Sequence, residues 1–119
     1  MTKLAVIEKQ RRGIAESQFE TETRRRLLGL LQEGKTRLAD LADALAMTPA
    51  GLRKELSRHQ LTFKDLLDSV RKDAASSRLL GTDLSITEIA FSLGYSDCSI
   101  FTRACHKWFH KSPREMRSA

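Results

Sequence analysis

The sequence predicts an all-α protein of about seven helices, arranged as two helix-turn-helix subdomains joined by a long linker helix. Three observations favour this fold class. Apolar residues recur with helical spacing along most of the 119 residues, capping signals precede most of these stretches, and one short pattern occurs twice. No segment shows the strict apolar–polar alternation of a half-buried strand.

The first unit is expected to occupy residues 17–61, after an N-terminal extension or interdomain linker remnant at residues 1–16. Ser17 and Glu20 form a capping-box pattern, which predicts the start of the first helix because each side chain can accept a hydrogen bond from the other residue's backbone N–H. Gly34 supplies a left-handed residue at the end of that helix. Its apolar stripe consists of Phe19, Leu27, Leu30 and Leu31.

A short second helix is predicted from near Thr36, and a third follows at once. Thr48 is the expected N-cap of the third helix, with Pro49 at its first position, where the missing N–H costs nothing. Leu52 and Leu56 are its inward residues. The apolar positions of the second helix are Leu38, Leu41, Ala42 and Leu45.

The connecting helix is predicted over residues 62–80, with Thr62 as its N-cap and a break that begins at Gly81. A helix of this length spans about 27 Å at 1.5 Å per residue. Its apolar side consists of Phe63, Leu66, Leu67, Val70 and Ala74.

The second unit is expected at residues 81–119. Ser85 and Glu88 form another capping box, and Gly94 ends the short helix that they open. The next helix begins near Ser96 or Asp97. The inward residues of these two helices are Ile89, Ala90, Leu93, Phe101, Ala104, Cys105, Trp108 and Phe109.

A last turn is predicted at the end of the chain. Ser112 caps it, Pro113 takes the first helical position, and Glu115 closes a third capping box. Met116 is its inward residue.

A short pattern at residues 41–48 recurs at residues 89–96, displaced by 48 positions. Each copy has an aliphatic residue followed by Ala, then Leu, then a small residue in a turn. A helix follows each copy, with two inward residues four apart. This is the sequence form of a helix-turn-helix, whose second helix lies in the DNA major groove.

The charge balance favours an anionic partner. Lys and Arg number 21 against 15 Asp and Glu, a net charge of +6. No apolar run reaches the roughly 18 residues of a membrane span, and the N-terminus lacks a signal peptide's apolar region. Two cysteines without a secretory signal are typical of a reducing compartment. We therefore expect a soluble, cytoplasmic protein.

No enzyme activity, metal or cofactor is expected. The sequence shows no Ser-His-Asp grouping, glycine-rich phosphate loop or paired acids on which catalysis could depend. His106 and His110 have a spacing that can hold zinc, and Cys105 adjoins them, but no fourth ligand is evident. Cys98 lies at a predicted helix N-terminus, where a thiol can be a redox switch. The favoured interpretation of Cys98 is a small residue facing DNA.

One stretch of the second unit has a recognisable pattern. Residues 89–97 read Ile-Ala-Phe-Ser-Leu-Gly-Tyr-Ser-Asp, and they are followed by Ser99, Phe101, Arg103, Ala104, Trp108, Ser112 and Pro113. With these residues the chain resembles the C-terminal DNA-binding domain of AraC/XylS-type bacterial transcription regulators over roughly residues 17–117. The resemblance implies two helix-turn-helix units that read two successive major-groove segments of double-stranded promoter or operator DNA. The alternative is a helical protein-interaction module that docks to RNA polymerase or another partner without reading DNA sequence.

The family pattern also implies which residues contact DNA. Arg53 and Arg103 can each form a bidentate pair with guanine. The phosphate contacts are expected from Thr48, Arg58, Lys107 and Lys111. The base-reading positions are Ala50, Gly51, Arg53 and Lys54 in the first recognition helix and Cys98, Ser99, Ile100, Thr102 and Arg103 in the second.

Three positions depart from the family pattern. Cys105 stands where an aromatic residue is usual, and Ala46 and His110 stand where a left-handed Gly is easier. Family members usually carry an upstream effector-binding or dimerisation domain. We therefore expect this chain to be monomeric and to be a fragment of a longer regulator, whose dimerisation would be through that upstream domain.

Overall fold

The computed structural model describes the backbone of residues 3–118 and the side chains of residues 18–118. Within those residues it contains seven helices and no strand, which confirms the predicted all-α class. No described helix has the length and hydropathy needed to cross a membrane. The helices are α1 (Lys3–Gln32), α2 (Leu38–Ala44), α3 (Pro49–Arg58), α4 (Phe63–Gly81), α5 (Ile86–Ser92), α6 (Cys98–Phe109) and α7 (Pro113–Ser118).

The predicted start of the first helix at Ser17 is wrong, because α1 is continuous from Lys3 to Gln32. Residues 3–16 of this helix belong to the segment 1–16, which the sequence predicts to be an N-terminal extension or interdomain linker remnant. They contain no proline and are rich in Ala, Glu, Lys, Gln and Arg, which favour helix. The capping pattern at Ser17 therefore lies inside a helix. Helix α2 also begins two residues later than predicted, with Arg37 as its N-cap.

The two units have separate hydrophobic cores, and α4 contributes to both. Leu66 and Val70 pack into the first core, whereas Ala75 and Leu79 pack into the second. At about 100° per residue, positions nine apart lie on roughly opposite sides of a helix. The two units therefore lie on opposite sides of α4. The other buried residues of the first core are Leu27, Leu31, Leu41, Ala42, Leu52 and Leu56, and those of the second are Ile89, Ala90, Leu93, Phe101 and Cys105.

The predicted N-caps at the later helices are confirmed. The Thr48 hydroxyl accepts a hydrogen bond from the Gly51 N–H (3.0 Å), and the Thr62 hydroxyl accepts one from the Asp65 N–H (3.1 Å). In the capping boxes at residues 85–88 and 112–115, both reciprocal hydrogen bonds between a side chain and a backbone N–H are present. Local side-chain chemistry thus sets where these four helices begin.

The turn residues take the predicted left-handed conformation. Gly34 and Gly94 have φ of 77° and 84°, and Ala46 and His110 follow with 56° and 59°. Gln60 has φ of 60° and was not predicted. For a non-glycine residue this conformation costs roughly 1–2 kcal/mol, which the surrounding packing must offset.

Gly94 lies where the turn of the second unit meets the first unit. A Cβ atom on Gly94 would be 2.8 Å from Thr36 Cγ2, 3.2 Å from Arg71 Nη2 and 3.3 Å from Leu31 Cδ2. Leu31 and Thr36 belong to the end of α1 and the loop after it. The absence of a side chain at this position therefore allows the two units to pack directly against each other.

Arg117 of α7 holds the C-terminal end of α4. Its guanidinium donates hydrogen bonds to the carbonyl oxygens of Leu79 (3.1 Å) and Leu84 (2.6 Å) and, at longer range, to that of Thr82 (3.3 Å). Carbonyl groups at a helix C-terminus lack partners within the helix and favour a positive charge. Arg117 thereby fixes α7 and the α4–α5 loop in one arrangement.

We expect Gly94→Ala to lower the free energy of unfolding by more than about 1 kcal/mol, because it adds left-handed strain to a close contact with Thr36. Gly81→Ala is the matched control, since Gly81 ends α4 with open space around it and no left-handed φ. The control should change stability by about 0.5 kcal/mol or less. Urea unfolding followed by circular dichroism measures both. Equal stability of the two variants would contradict the close packing of the units at Gly94.

Candidate nucleic-acid interface

The second helix of each helix-turn-helix is anchored through one buried face. Leu52 and Leu56 of α3 and Phe101 and Cys105 of α6 are at most 1% exposed. Their spacing of four places each pair on a single side of its helix. The opposite sides of α3 and α6 are left exposed, as a helix that enters a DNA groove requires.

Helix α3 exposes two basic residues that the sequence predicts to read bases. Arg53 and Lys54 are exposed, and neither forms an ion pair with a side chain that the structure describes. Ala50 is exposed as well, and Gly51 is half-buried beneath the Thr48 hydroxyl that caps it. The first half of α3 thus offers solvent a nearly flat surface, next to two free positive charges.

Arg58, a predicted phosphate contact, is already paired. Its guanidinium lies 3.0 Å from a carboxylate oxygen of Glu55, and the same carboxylate is 3.6 Å from His59 Nε2. The His59 ring stacks on Phe19 of α1 with centroids 4.5 Å apart. The C-terminal end of α3 is therefore held to α1, and Arg58 must release or share Glu55 to reach a phosphate.

Helix α6 exposes a stripe formed by Ser99, Ile100, Arg103 and Lys107, and Lys111 is exposed just beyond its end. The Asp97 carboxylate accepts hydrogen bonds from the backbone N–H and the hydroxyl of Ser99 (2.8 and 2.9 Å). These bonds hold the pKa of Asp97 below its usual value. Asp97 therefore stays ionised as the N-cap of α6, where a negative charge also complements the helix dipole.

Two predicted base-reading residues of α6 lie at the edge of this stripe. Cys98 and Thr102 are half-buried and line a cleft against α5 and α7, together with Ile86 and Pro113. The Thr102 hydroxyl donates a hydrogen bond to the Cys98 carbonyl oxygen (3.1 Å). Both side chains are therefore less available to a base than their neighbours on the exposed stripe.

The two recognition helices are offset by 49 positions, although the preceding short helices are offset by 48. The N-caps are Thr48 and Asp97, and the first buried residues are Leu52 and Phe101. One extra residue therefore stands in the second turn. As a result Arg103 corresponds to Lys54, whereas Thr102 corresponds to Arg53.

Cys105 lies in the second core, on the buried side of α6. Its side chain is fully buried, and burial raises the pKa of its thiol to about 11. Tyr95, Trp108 and Phe109 pack against the same core. Among the described residues, no group of three His, Cys, Asp or Glu side chains could hold a metal ion.

Two helix-turn-helix units on one shared helix, with exposed basic residues on both recognition helices, define a DNA-binding domain. Comparison with known proteins agrees. The chain matches the family described as "Helix-turn-helix domain" over residues 41–119. It belongs to the AraC-type helix-turn-helix family of transcription regulators, which confirms the resemblance seen in the sequence.

The relatives are longer than this chain. It is 35% identical over 89 residues to the HTH-type transcriptional regulator VirS of Mycobacterium tuberculosis. The aligned residues cover 75% of this chain and 26% of VirS. It is 40% identical over 82 residues to the ornithine utilization regulator of Pseudomonas aeruginosa, covering 69% of this chain and 24% of that protein. The chain thus spans about a quarter of the length of these curated relatives.

Solved structures show the same fold. A DNA-binding transcriptional dual regulator from Escherichia coli K-12 superposes with a TM-score of 0.65 at 25% identity, covering 81% of this chain and 89% of that one. The C-terminal domain of AraT, a response regulator from Geobacillus stearothermophilus, gives a TM-score of 0.63 at 29% identity, covering 81% and 84%.

The two cysteines should differ in reactivity. Cys105 is fully buried with a raised thiol pKa, whereas Cys98 is half-buried at the start of α6. A maleimide added to the native protein at neutral pH should label Cys98 and leave Cys105 unmodified. Peptide mass spectrometry identifies the labelled residue, and unfolding in urea, as the control, should expose both. Labelling of Cys105 at the rate of Cys98 in the native state would contradict the packing of the second core.

Proposed function

We propose that the domain recognises asymmetric sites in double-stranded DNA by placing α3 and α6 in two successive major-groove segments. DNA binding and transcription regulation follow from the family. The observation that carries the finer proposal is the pair of exposed recognition helices on opposite sides of α4. Helix α4 has 19 residues and spans about 28 Å. With the flanking units added, the recognition helices can reach grooves about one DNA turn, roughly 34 Å, apart.

Base reading in this proposal depends chiefly on three long basic side chains. Arg53 and Arg103 can donate two hydrogen bonds each to guanine O6 and N7, and Lys54 can donate to the same edge. Ile100 is 42% exposed and can contact a thymine methyl group, as can Ala50. The remaining proposed base-reading residues are Gly51, Cys98, Ser99 and Thr102.

Phosphate contacts are proposed for the residues that flank these positions. Lys107 is the last residue of the exposed stripe of α6, Lys111 is exposed just beyond the end of that helix, and Thr48 lies at the N-terminus of α3. Arg58 is expected to contribute less, because Glu55 already neutralises its charge. Such contacts position the protein on DNA without reading its sequence.

The two boxes of the DNA site should differ in sequence. Corresponding positions of the two recognition helices are 49 residues apart, so α3 presents Arg53 where α6 presents Thr102. A single chain with two unlike recognition helices needs no palindromic site. We therefore propose that the chain binds DNA as a monomer.

Three further proposals concern the regulator as a whole. Effector sensing and dimerisation belong to parts of the regulator outside this chain, and contact with RNA polymerase accompanies activation. The proposed location is the cytoplasm, at the nucleoid, because DNA is the target.

Selection of bound DNA from a random duplex pool tests this function. The wild-type domain should enrich an asymmetric motif with two boxes about 10 base pairs apart. Arg103→Ala should relax one position of one box, and Lys54→Ala and Arg53→Ala should relax positions of the other. Each lost contact is expected to weaken binding of the preferred base by roughly 5- to 150-fold, about 1–3 kcal/mol.

Lys107→Ala is the matched control for a phosphate contact on the same helix as Arg103. It should weaken all sequences alike and reduce the slope of log affinity against log salt by about 1. No enrichment of any motif at low salt would contradict the proposal and favour the helical interaction module. Enrichment of a single box would contradict base reading by α3.

A further inference from the structure

We infer that Arg71 is a positioning residue that fixes the second helix-turn-helix on α4 and thereby sets the spacing between the two DNA boxes that the domain accepts. The inference rests on the proposed two-box recognition. Arg71 lies in the middle of α4 and is not part of either recognition helix.

Arg71 makes two contacts with the turn between α5 and α6. Its Nε donates a hydrogen bond to the Leu93 carbonyl oxygen (2.8 Å), and its guanidinium lies over the Tyr95 ring, 4.1 Å from the centroid. A planar guanidinium can serve both contacts at once, because its N–H groups point outward in the plane while its face stacks on a ring. One side chain thus fixes both the position and the orientation of the turn.

The contact continues into the recognition helix. The Tyr95 ring packs on Phe101 with centroids 5.7 Å apart, and Phe101 is fully buried at the start of α6. Phe101 is two residues from Arg103, the strongest base-reading candidate of this helix. A change in the turn at Tyr95 therefore shifts the exposed stripe of α6.

Gly94, between Leu93 and Tyr95, connects the same turn to the first unit. Its Cα carries no side chain, and a Cβ there would lie 3.3 Å from Leu31 Cδ2 and 3.2 Å from Arg71 Nη2. Arg71 thus lies where α1, α4 and the second turn meet. The relative orientation of the two units is determined at this junction.

The first unit lacks the equivalent contact. Thr23 stands 48 positions before Arg71, and Met47 stands 48 positions before Tyr95. Thr23 is buried, and its hydroxyl has no hydrogen-bond partner among the described residues. The first unit therefore folds with neither a guanidinium nor an aromatic ring at these two positions, and its own arginine contact is a longer hydrogen bond from Arg26 of α1 to the Ala44 carbonyl oxygen (3.3 Å). This difference points to a role for Arg71 in orienting the second unit rather than in forming it.

The second unit has other contacts with α4 that remain when Arg71 is replaced. Arg78 of α4 donates a hydrogen bond to the Ser92 hydroxyl, and Arg117 binds carbonyl oxygens at the end of α4. Ala75 and Leu79 of α4 are buried in the second core. The Arg71→Met variant is therefore expected to fold with the second unit attached but less firmly oriented.

Binding to a series of two-box DNA sites tests the inference, because each added base pair moves the second box by about 3.4 Å and about 35°. The boxes come from the wild-type motif, with spacing varied by one and two base pairs either way. Wild-type protein should prefer its best spacing over its neighbours by about tenfold or more. Arg71→Met should reduce this preference to about threefold or less, with affinity for a lone second box within about twofold of wild type.

Three further variants refine the comparison. Lys72→Met is the charge-matched control, since Lys72 is an exposed neighbour on α4, and it should keep the wild-type spacing preference. Tyr95→Phe keeps the ring beneath the guanidinium and should also keep the preference. Arg71→Lys keeps the charge but lacks the N–H at the ε position, so it should give an intermediate spacing preference. It also provides a test of the inference if Arg71→Met does not fold.

The outcomes separate the inference from the function on which it rests. An unchanged spacing preference in Arg71→Met and Arg71→Lys would overturn the positioning role while leaving two-box recognition intact. Loss of affinity for the lone second box equal to the loss for the two-box site would also overturn it, because Arg71 would then act within the second unit alone. Absence of any spacing preference in the wild-type protein would overturn it as well, because no fixed spacing would then exist for Arg71 to set. Equal affinity of the wild-type protein for the lone second box and for the two-box site would instead refute two-box recognition.

Discussion

Helix α4 is part of two hydrophobic cores at once, and the arrangement of the whole domain depends on this shared helix. Its N-terminal half buries Leu66 and Val70 in the first core, and its C-terminal half buries Ala75 and Leu79 in the second. A rotation or shift of α4 would therefore disturb both cores. Because packed interiors resist such changes, burial on opposite sides of one helix sets the positions of both recognition helices.

Polar contacts fix the orientation of the two units relative to α4. Hydrophobic contact is not directional, so the apolar faces of α4 alone would allow small rotations of either unit. Arg24 of α1 binds Ser69 and Asp73 of α4 on one side, and Arg71 binds the second turn on the other. A domain held in this way has its two recognition helices oriented before it meets DNA. In the proposed two-box recognition, this reduces the entropy lost on binding.

Much of the fold could be predicted from the sequence because its signals are local. Capping boxes at Ser85 and Ser112, the N-caps Thr48 and Thr62, and the left-handed turn residues depend on chemistry within a few positions of chain, and the structure confirms them. The start of α1 was mispredicted because the same local signal at Ser17 competes with a long stretch of good helix formers. A capping box indicates a helix start only where the residues before it are not themselves helical.

The contacts that hold the candidate site in place were less predictable, because they join residues far apart in the sequence. Arg71 and Leu93 are 22 positions apart, and Arg117 and Leu79 are 38 apart, so neither contact has a sequence signal. The pairing of Arg58 with Glu55 is the exception, since acidic and basic residues three apart on a helix are neighbours. The 49-position offset of the recognition helices could also have been found from the N-caps Thr48 and Asp97. That offset changes which residues of the two helices correspond.

Hydroxyl-radical footprinting on a selected site tests most directly whether one rigid domain holds two recognition helices against one face of DNA. The account predicts two protected regions on the same face, centred about one helical turn (10–10.5 base pairs) apart, at a concentration where a single chain is bound. Protection of one region only, or of two regions that lose protection at different protein concentrations, would contradict it.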